Sequence, residues 1–300
     1  MEEGRPSFTA VISAMMRAAH LAFDKEPKIF ADPLALALSG AGNEAALKAS
    51  LDNLGAAIAA GVGSRRAEEA YRYLRTVMTL RSRFTEDELD QAVQRGIAQY
   101  VILGAGLDSF VYRRRDLASI LRVFEVDLPA TQLWKRARLG AVNVPEPENL
   151  TFVPLDFEQQ SLVGALRAAG LRTQDRAFVS WLGTTQYLTA EAIFNTLREV
   201  ASLAVGSEIV FQYQIAEDLL DEDDRQLLDV LKAGGTASGE PWLSLFAPPK
   251  LAEQVKALGF VDVIDFGPEQ ALERYFAGRT DELRAPVLSH FMKARVGRAQ

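Results

Sequence analysis

An α/β fold, doubly wound around a mostly parallel seven-stranded sheet and preceded by a helical N-terminal cap, is predicted by three observations. From Ala98 onward, short apolar runs alternate with helix-compatible segments. A glycine turn, Gly104-Ala105-Gly106, joins the first run to a helix start, and acid ends the next run at Glu125 and Asp127. Residues 1–95 carry helical spacing and no strand pattern. Alternating strands and helices imply a parallel sheet covered on both faces.

The cap comes first. Residues 7–23 repeat apolar side chains at Val11, Ile12, Met15, Met16, Ala19 and Phe23, the spacing of one helix face. Ser7 or Thr9 can cap this helix. Arg17 and His20 lie within it. His20 is a candidate general base, beside the plainer reading of a packing histidine. Asp32-Pro33 starts a short helix with Asp32 as N-cap. Residues 43–60 are alanine-rich and helical. Two more helices are predicted at 64–80 and 85–96. Arg81-Ser82-Arg83-Phe84 separates them, and Glu86, Asp87 and Glu88 place acid in the first turn of the second.

The sheet follows. Strands are predicted at 99–103, 121–126, 150–154, 177–182 and 207–213, with helices at 108–116, 129–139, 160–169 and 189–204. Asp221 to Asp224 reads as acid in the first turn of a helix rather than as a metal cluster. Gly234 to Gly239 reads as a flexible loop. A helix from Pro248 to Gly259 leads to strands at 261–266 and 287–296, with a helix at 268–277. This finish adds an antiparallel strand to the parallel sheet.

Composition narrows the function. Three hundred residues, 48% hydrophobic and 24% charged, hold a sizeable core. The expected division is a cap at 1–95 and a nucleotide-binding domain at 96–300. Net charge is −7, and Arg113-Arg114-Arg115 is the one basic run, read as a solvated face. Nucleic acid is therefore not an expected partner. The absence of cysteine excludes disulfides, thiolate nucleophiles and zinc–thiolate sites. The start MEEGRPSF is not a signal peptide, and no apolar run approaches the roughly 18 residues of a membrane span. A cytoplasmic protein with no membrane partner is expected.

Ligands of such sheets bind at the carboxyl ends of the strands. Gly104 and Gly106 lack a Cβ, so the backbone can turn sharply and lie close to a ligand. Ser109 stands where a dinucleotide fingerprint has its third glycine, which disfavours NAD and FAD and suits an adenosyl ligand without phosphate. Glu125 and Asp127, about 20 residues on, suit a ribose diol. Asp156 and Phe157 at the third strand end could hold an adenine, through the exocyclic amine and the ring face, or Asp156 could cap a helix. Trp181 to Leu188 is rich in aromatics and hydroxyls where a substrate would meet a cofactor. Tyr213 ends the fifth strand.

The strings LGAGLDSFVYR, FEVDLP, VPLDF and WLGTTQYLTAEAI, in that order, resemble the class I S-adenosylmethionine-dependent methyltransferases related to leucine carboxyl methyltransferases. The bacterial branch, with its polyketide O-methyltransferases, is the nearer likeness. TAVISAMMRAAH, IFADPLA, GEPWLSLF and YFAGRTDELR extend the resemblance over nearly the whole chain.

The resemblance implies S-adenosyl-L-methionine as cofactor and S-adenosyl-L-homocysteine as product. Gly104, Ala105 and Gly106 would lie against the methionine part. Asp127 would hold the ribose, with Glu125 in reserve, and Asp156 and Phe157 would frame the adenine. Arg81, or Arg83 in a shifted register, would pair with the cofactor carboxylate, and Arg17 would assist. Relatives carry an acid–glycine pair after the fourth strand, where this chain has Leu182-Gly183. That role is unfilled here, or passes to Trp181 or Thr184.

The implied reaction is methylation of a carboxylate or hydroxyl oxygen on a small molecule, without a metal. For a hydroxyl, His20 and Tyr213 are the candidate bases. An NAD-dependent oxidoreductase and a non-catalytic cofactor-binding protein are the competing readings.

Overall fold

The computed structural model describes residues 7–157 and 159–298. Four helices open the chain. Helix α1 (Phe8–Phe23) is capped by Ser7, whose side chain accepts from the Ala10 N–H. Helix α2 (Ala35–Ser39) is short, α3 spans Glu44–Val62, and α4 runs unbroken from Ser64 to Gln94. The two helices expected at 64–80 and 85–96 are thus one. Neither Gly nor Pro interrupts the segment, and Val77, Leu80 and Phe84 keep one buried face in register across the presumed break. Helix α2 proper begins at Ala35, and Asp32 caps the turn that leads into it, its Oδ1 accepting the Leu34 N–H at 3.1 Å while Arg17 and Ser109 hold Oδ2.

The sheet then forms. Strand β1 (Gln99–Leu103) is buried at every position. The expected helix at 108–116 is a single α-helical turn, α5 (Phe110–Arg113), followed by a 3-10 turn at Arg115–Leu117. Strand β2 (Arg122–Asp127), helix α6 (Pro129–Ala141), strand β3 (Leu150–Pro154) and helix α7 (Leu162–Ala168) follow. Ser161, not Asp156, caps α7. Next come β4 (Phe178–Trp181), α8 (Ala190–Ala201) and β5 (Glu208–Gln214).

Helix α9 (Glu222–Ala237) begins with the acidic run, where Asp221 caps it and Asp223 pairs with Arg66. It also absorbs Gly234 and Gly235, which correct the expected loop. Helix α10 (Pro248–Ala257), strand β6 (Phe260–Phe266), helix α11 (Pro268–Ala271) with a π-helical turn at Leu272–Phe276, and strand β7 (Ser289–Val296) close the chain.

The seven strands form one sheet in the order β3-β2-β1-β4-β5-β7-β6. β1 to β5 are parallel, and β7 inserts antiparallel between β5 and β6. Chain direction across the sheet reverses between β1 and β4, so their carboxyl ends open a crevice there.

Both faces are covered by apolar clusters, and α4 contributes to each, with Tyr73 and Val77 on one and Leu80 and Phe84 on the other. Arg113 is not a solvated residue as expected. It pairs with Glu86 and lies 3.6 Å from Asp32. Among the described residues no helix is long and apolar enough to cross a membrane.

Candidate functional site

The crevice at the switch point is a cleft of about 120 Å³. Its floor is the turn after β1. Gly104 and Gly106 adopt positive φ, 62° and 50°. The Gly104 and Ala105 N–H groups donate to the Val126 carbonyl, and the Gly106 N–H donates to Asp127 Oδ2 at 2.5 Å. The tip of β2 therefore holds the turn in shape. Burial pushes the Asp127 carboxyl up, and the N–H groups of Gly106 and Leu128 oppose that shift.

Two arginines meet above the floor. Ser13 Oγ accepts from Arg17 Nη1 at 2.7 Å and from Arg81 Nη2 at 2.8 Å. Arg17 is also bonded to Asp32 and to the Leu107 carbonyl, so its charge is matched. Burial pushes the Asp32 carboxyl up, but Arg17 and Arg113 outweigh burial and hold it below its ordinary value.

Arg81 is different. Among the described residues no carboxylate forms an ion pair with it. Desolvation, then the Arg17 charge, brings it down to about 10. Gly183 makes its position possible, because a Cβ there would lie 2.1 Å from Arg81 Nη1. Arg83, the alternative in register, instead pairs with Asp87 and is not part of the cleft wall.

The segment after β4, which packs on Arg81 through Gly183, forms another part of the wall. Leu182, Thr184, Gln186 and Tyr187 line the cleft. Thr184 closes over the turn, its Oγ1 2.2 Å from where a Cβ of Gly104 would stand. Glu240, from the segment after α9, completes this side. It is 5% exposed and its Oε2 has no hydrogen-bond partner.

Of the sequence-predicted residues, the cleft unites Arg17, Arg81, Gly104, Ala105, Gly106, Asp127 and Leu182. Glu125 is not part of this wall. Its Oε2 is 2.5 Å from Lys135 Nζ, both side chains are 1% exposed, and burial lifts its carboxyl to about 7 against the pull of Lys135. Asp156 and Phe157 are not on the wall either. Phe157 packs on the Trp181 ring with centroids 5.9 Å apart, and Trp181 is wholly buried with Nε1 unpartnered.

Neither candidate base reaches the cleft. His20 Nε2 accepts the Ile29 N–H at 2.9 Å, so Nδ1 carries the proton toward Asp24 at 2.7 Å. Both ring nitrogens serve the turn that links α1 to α2. Tyr213 donates to Asp265 at 2.7 Å inside the sheet, and burial followed by that carboxylate pushes its phenol well up.

Sequence reasoning missed Ser13, Asp108, Gly183, Gln186, Tyr187 and Glu240. Asp108, Gly183, Gln186 and Tyr187 lie inside strings already singled out, and Glu240 lies in GEPWLSLF. Among the described residues no group of three or more His, Asp or Glu side chains could hold a metal ion.

The family model described as leucine carboxyl methyltransferase matches residues 10–201, from α1 through α8. The candidate S-adenosyl-L-methionine-dependent methyltransferase YktD of Bacillus subtilis (strain 168) is 29% identical over 303 residues, covering 98% of this chain and 99% of its own. A second candidate of the same description, FRAAL3836 of Frankia alni, is 37% identical over 171 residues, covering 54% of this chain and 60% of its own. A candidate methyltransferase structure from Thermobifida fusca YX superposes with a TM-score of 0.57 at 18% identity, over 99% of this chain and 97% of that one, a likeness of fold. The family match takes in every segment of the cleft except the one that bears Glu240, and it replaces the oxidoreductase reading. The chain belongs to the leucine carboxyl methyltransferase family, within the S-adenosylmethionine-dependent methyltransferases.

Proposed function

We propose that this protein methylates an oxygen atom, carboxylate or hydroxyl, of a small-molecule acceptor. One observation carries the assignment of the cleft. Arg81 and Glu240 both line it, both largely shut off from water, and neither forms an ion pair among the described residues, although the Asp108 carboxylate acts on Arg81 from a distance. An unpaired buried charge is costly, so each implies a partner of the other sign. The zwitterionic methionine part of the cofactor supplies both, a carboxylate for Arg81 and an ammonium for Glu240. Glu240 then fills the role that Leu182 leaves open. Asp127 spends two of its acceptor positions on its own loop and keeps others for ribose hydroxyls.

S-adenosylmethionine, when bound, brings an electrophilic methyl group with a thioether as leaving group. The chain's own tasks are then to position the acceptor and to exclude water. The family description names a carboxyl group, which supports oxygen as the atom methylated. The present cleft is narrower than ligand sites usually are, so Thr184 must move back from Gly104 when a nucleoside enters.

The test follows label from methyl-tritiated S-adenosylmethionine into mixed hydroxy- and carboxy-compounds. Label released by mild base marks an ester, and stable label marks an ether. Calorimetric binding of S-adenosylhomocysteine without transfer to any acceptor would favour the non-catalytic alternative. No binding of either adenosyl ligand would sink the proposal.

A further inference from the structure

A second cavity, of about 400 Å³, adjoins the cleft, and Met78, Arg81, Gln186 and Tyr187 belong to the walls of both. Its size is that of a small-molecule site. Helices α1, α3, α4 and α9 wall it with aliphatic side chains such as Ile12, Leu54, Ile58, Leu74 and Val230. The end of α9 keeps it open. Glycine inside a helix is destabilising and needs a reason. Gly235 has one in close packing, because its Cβ would lie 2.7 Å from the Glu240 carbonyl. Gly234 has no such contact, since a Cβ there would meet nothing within 4 Å. It is exposed and lies at the rim of the chamber.

The polar end of the chamber lacks one hydrogen-bond donor that its own residues do not supply. Ser289 Oγ donates to Gln214 Oε1 at 2.7 Å. It accepts from Tyr73 at 2.6 Å and from Gln212 Nε2 at 3.1 Å. One proton and two lone pairs are then all used. Gln212 must turn its NH2 group to Ser289, which leaves its carbonyl oxygen over. Gln212 is 2% exposed and lines the chamber, and its Oε1 has no partner. Gln186 Oε1, at the wall shared with the cleft, is buried and unpartnered as well. Buried carbonyls without donors are rare in native structures and are met by ordered water or by a ligand group.

Charge sets the rest. Among the described residues no Asp or Glu lines the chamber, and Arg81 is the one cation. A cationic occupant would lose its hydration with no partner, and an anionic one would have only Arg81, which the proposed function gives to the carboxylate of the cofactor.

We propose that this chamber is the acceptor site, and that its occupant is an uncharged, largely apolar molecule with a hydroxyl that donates to Gln212 Oε1. The word acceptor and the exclusion of an anion rest on the reading of the adjoining cleft, whereas the apolar body and the hydroxyl stand on the chamber alone.

Three biphenyls of one shape test it: 4-hydroxybiphenyl, 4-methoxybiphenyl and biphenyl-4-carboxylate. Each is titrated calorimetrically into the full chain, with and without S-adenosylhomocysteine. The hydroxyl compound should bind, and its methyl ether about tenfold more weakly, because Gln212 stays unpaired. With S-adenosylhomocysteine bound, the carboxylate should bind more weakly still. Gln212→Leu should make alcohol and ether equal. Gly234→Phe, on a helix end rather than in the sheet, should abolish binding of all three and leave the S-adenosylhomocysteine titration unchanged.

Failure of the hydroxyl compound to bind overturns the proposal. So does equal binding to wild type of the ether, or of the carboxylate with S-adenosylhomocysteine bound, or wild-type binding by Gly234→Phe. If the pattern of alcohol and ether holds while S-adenosylhomocysteine does not bind, the cofactor reading fails and the chamber stands.

Discussion

Asp127 Oδ2 accepts the backbone N–H of Gly106 at 2.5 Å, so the tip of β2 clamps the glycine turn that follows β1. Oδ1 accepts the N–H of Leu128 at 2.7 Å. One side chain thus shapes the floor of the cleft and faces its contents.

Replacing Asp127 by Ala should weaken S-adenosylhomocysteine binding by about ten- to a hundredfold, the worth of hydrogen bonds to a charged group. Calorimetry reads the change directly. An unaltered dissociation constant would take Asp127 out of the binding site.

Arg81→Met and Glu240→Gln address the methionine end. Each should weaken S-adenosylhomocysteine by about tenfold or more and leave 5′-methylthioadenosine, which lacks the amino-acid group, bound as in wild type. A parallel loss for both ligands would mean that these residues support the fold rather than the zwitterion.

The buried pair Glu125–Lys135 has a stability signature. Lys135→Met leaves a carboxyl group alone in the core and should cost about 3–5 kcal/mol in urea unfolding, and adding Glu125→Leu should recover most of it. The pair also makes stability depend on pH. Glu125 titrates near 4.5 when unfolded and is raised to about 7 by burial in the folded chain. Between those values the folded state keeps a proton that the unfolded state has lost, so this group's contribution to stability falls as pH rises. Glu125→Gln should flatten that slope between pH 5 and 7. An identical slope in the variant would show that other groups set it.

His20→Ala should leave methyl transfer unchanged at 25 °C and lower stability by about 1–3 kcal/mol, because both ring nitrogens hold the turn to α2. A hundredfold drop in turnover in a fully folded variant would restore His20 as a base.

The architecture was legible because its signals are local. A strand with four successive apolar residues, a turn that needs positive φ, and an acid at the next strand tip follow one another within 30 residues, and each responds to its own neighbours. Helical period alone did not show that α4 continues through Arg81, since a break without Gly or Pro leaves no mark to test. The glycines of α9 misled for the opposite reason, as composition spoke for a loop while packing against Glu240 and Trp242 selected a helix.

By itself, then, the sequence determined the order of strands and helices, the glycine turn and Asp127, because backbone sterics and short-range periodicity decide them. Tertiary structure alone decided which charges are left unpaired. It turned Glu125 to Lys135, tied His20 to Asp24 and Ile29, and brought Glu240 to the same cleft as Arg81. Such pairings depend on which side chains meet after the chain has closed on itself, and desolvation gives them their energy only in that closed state.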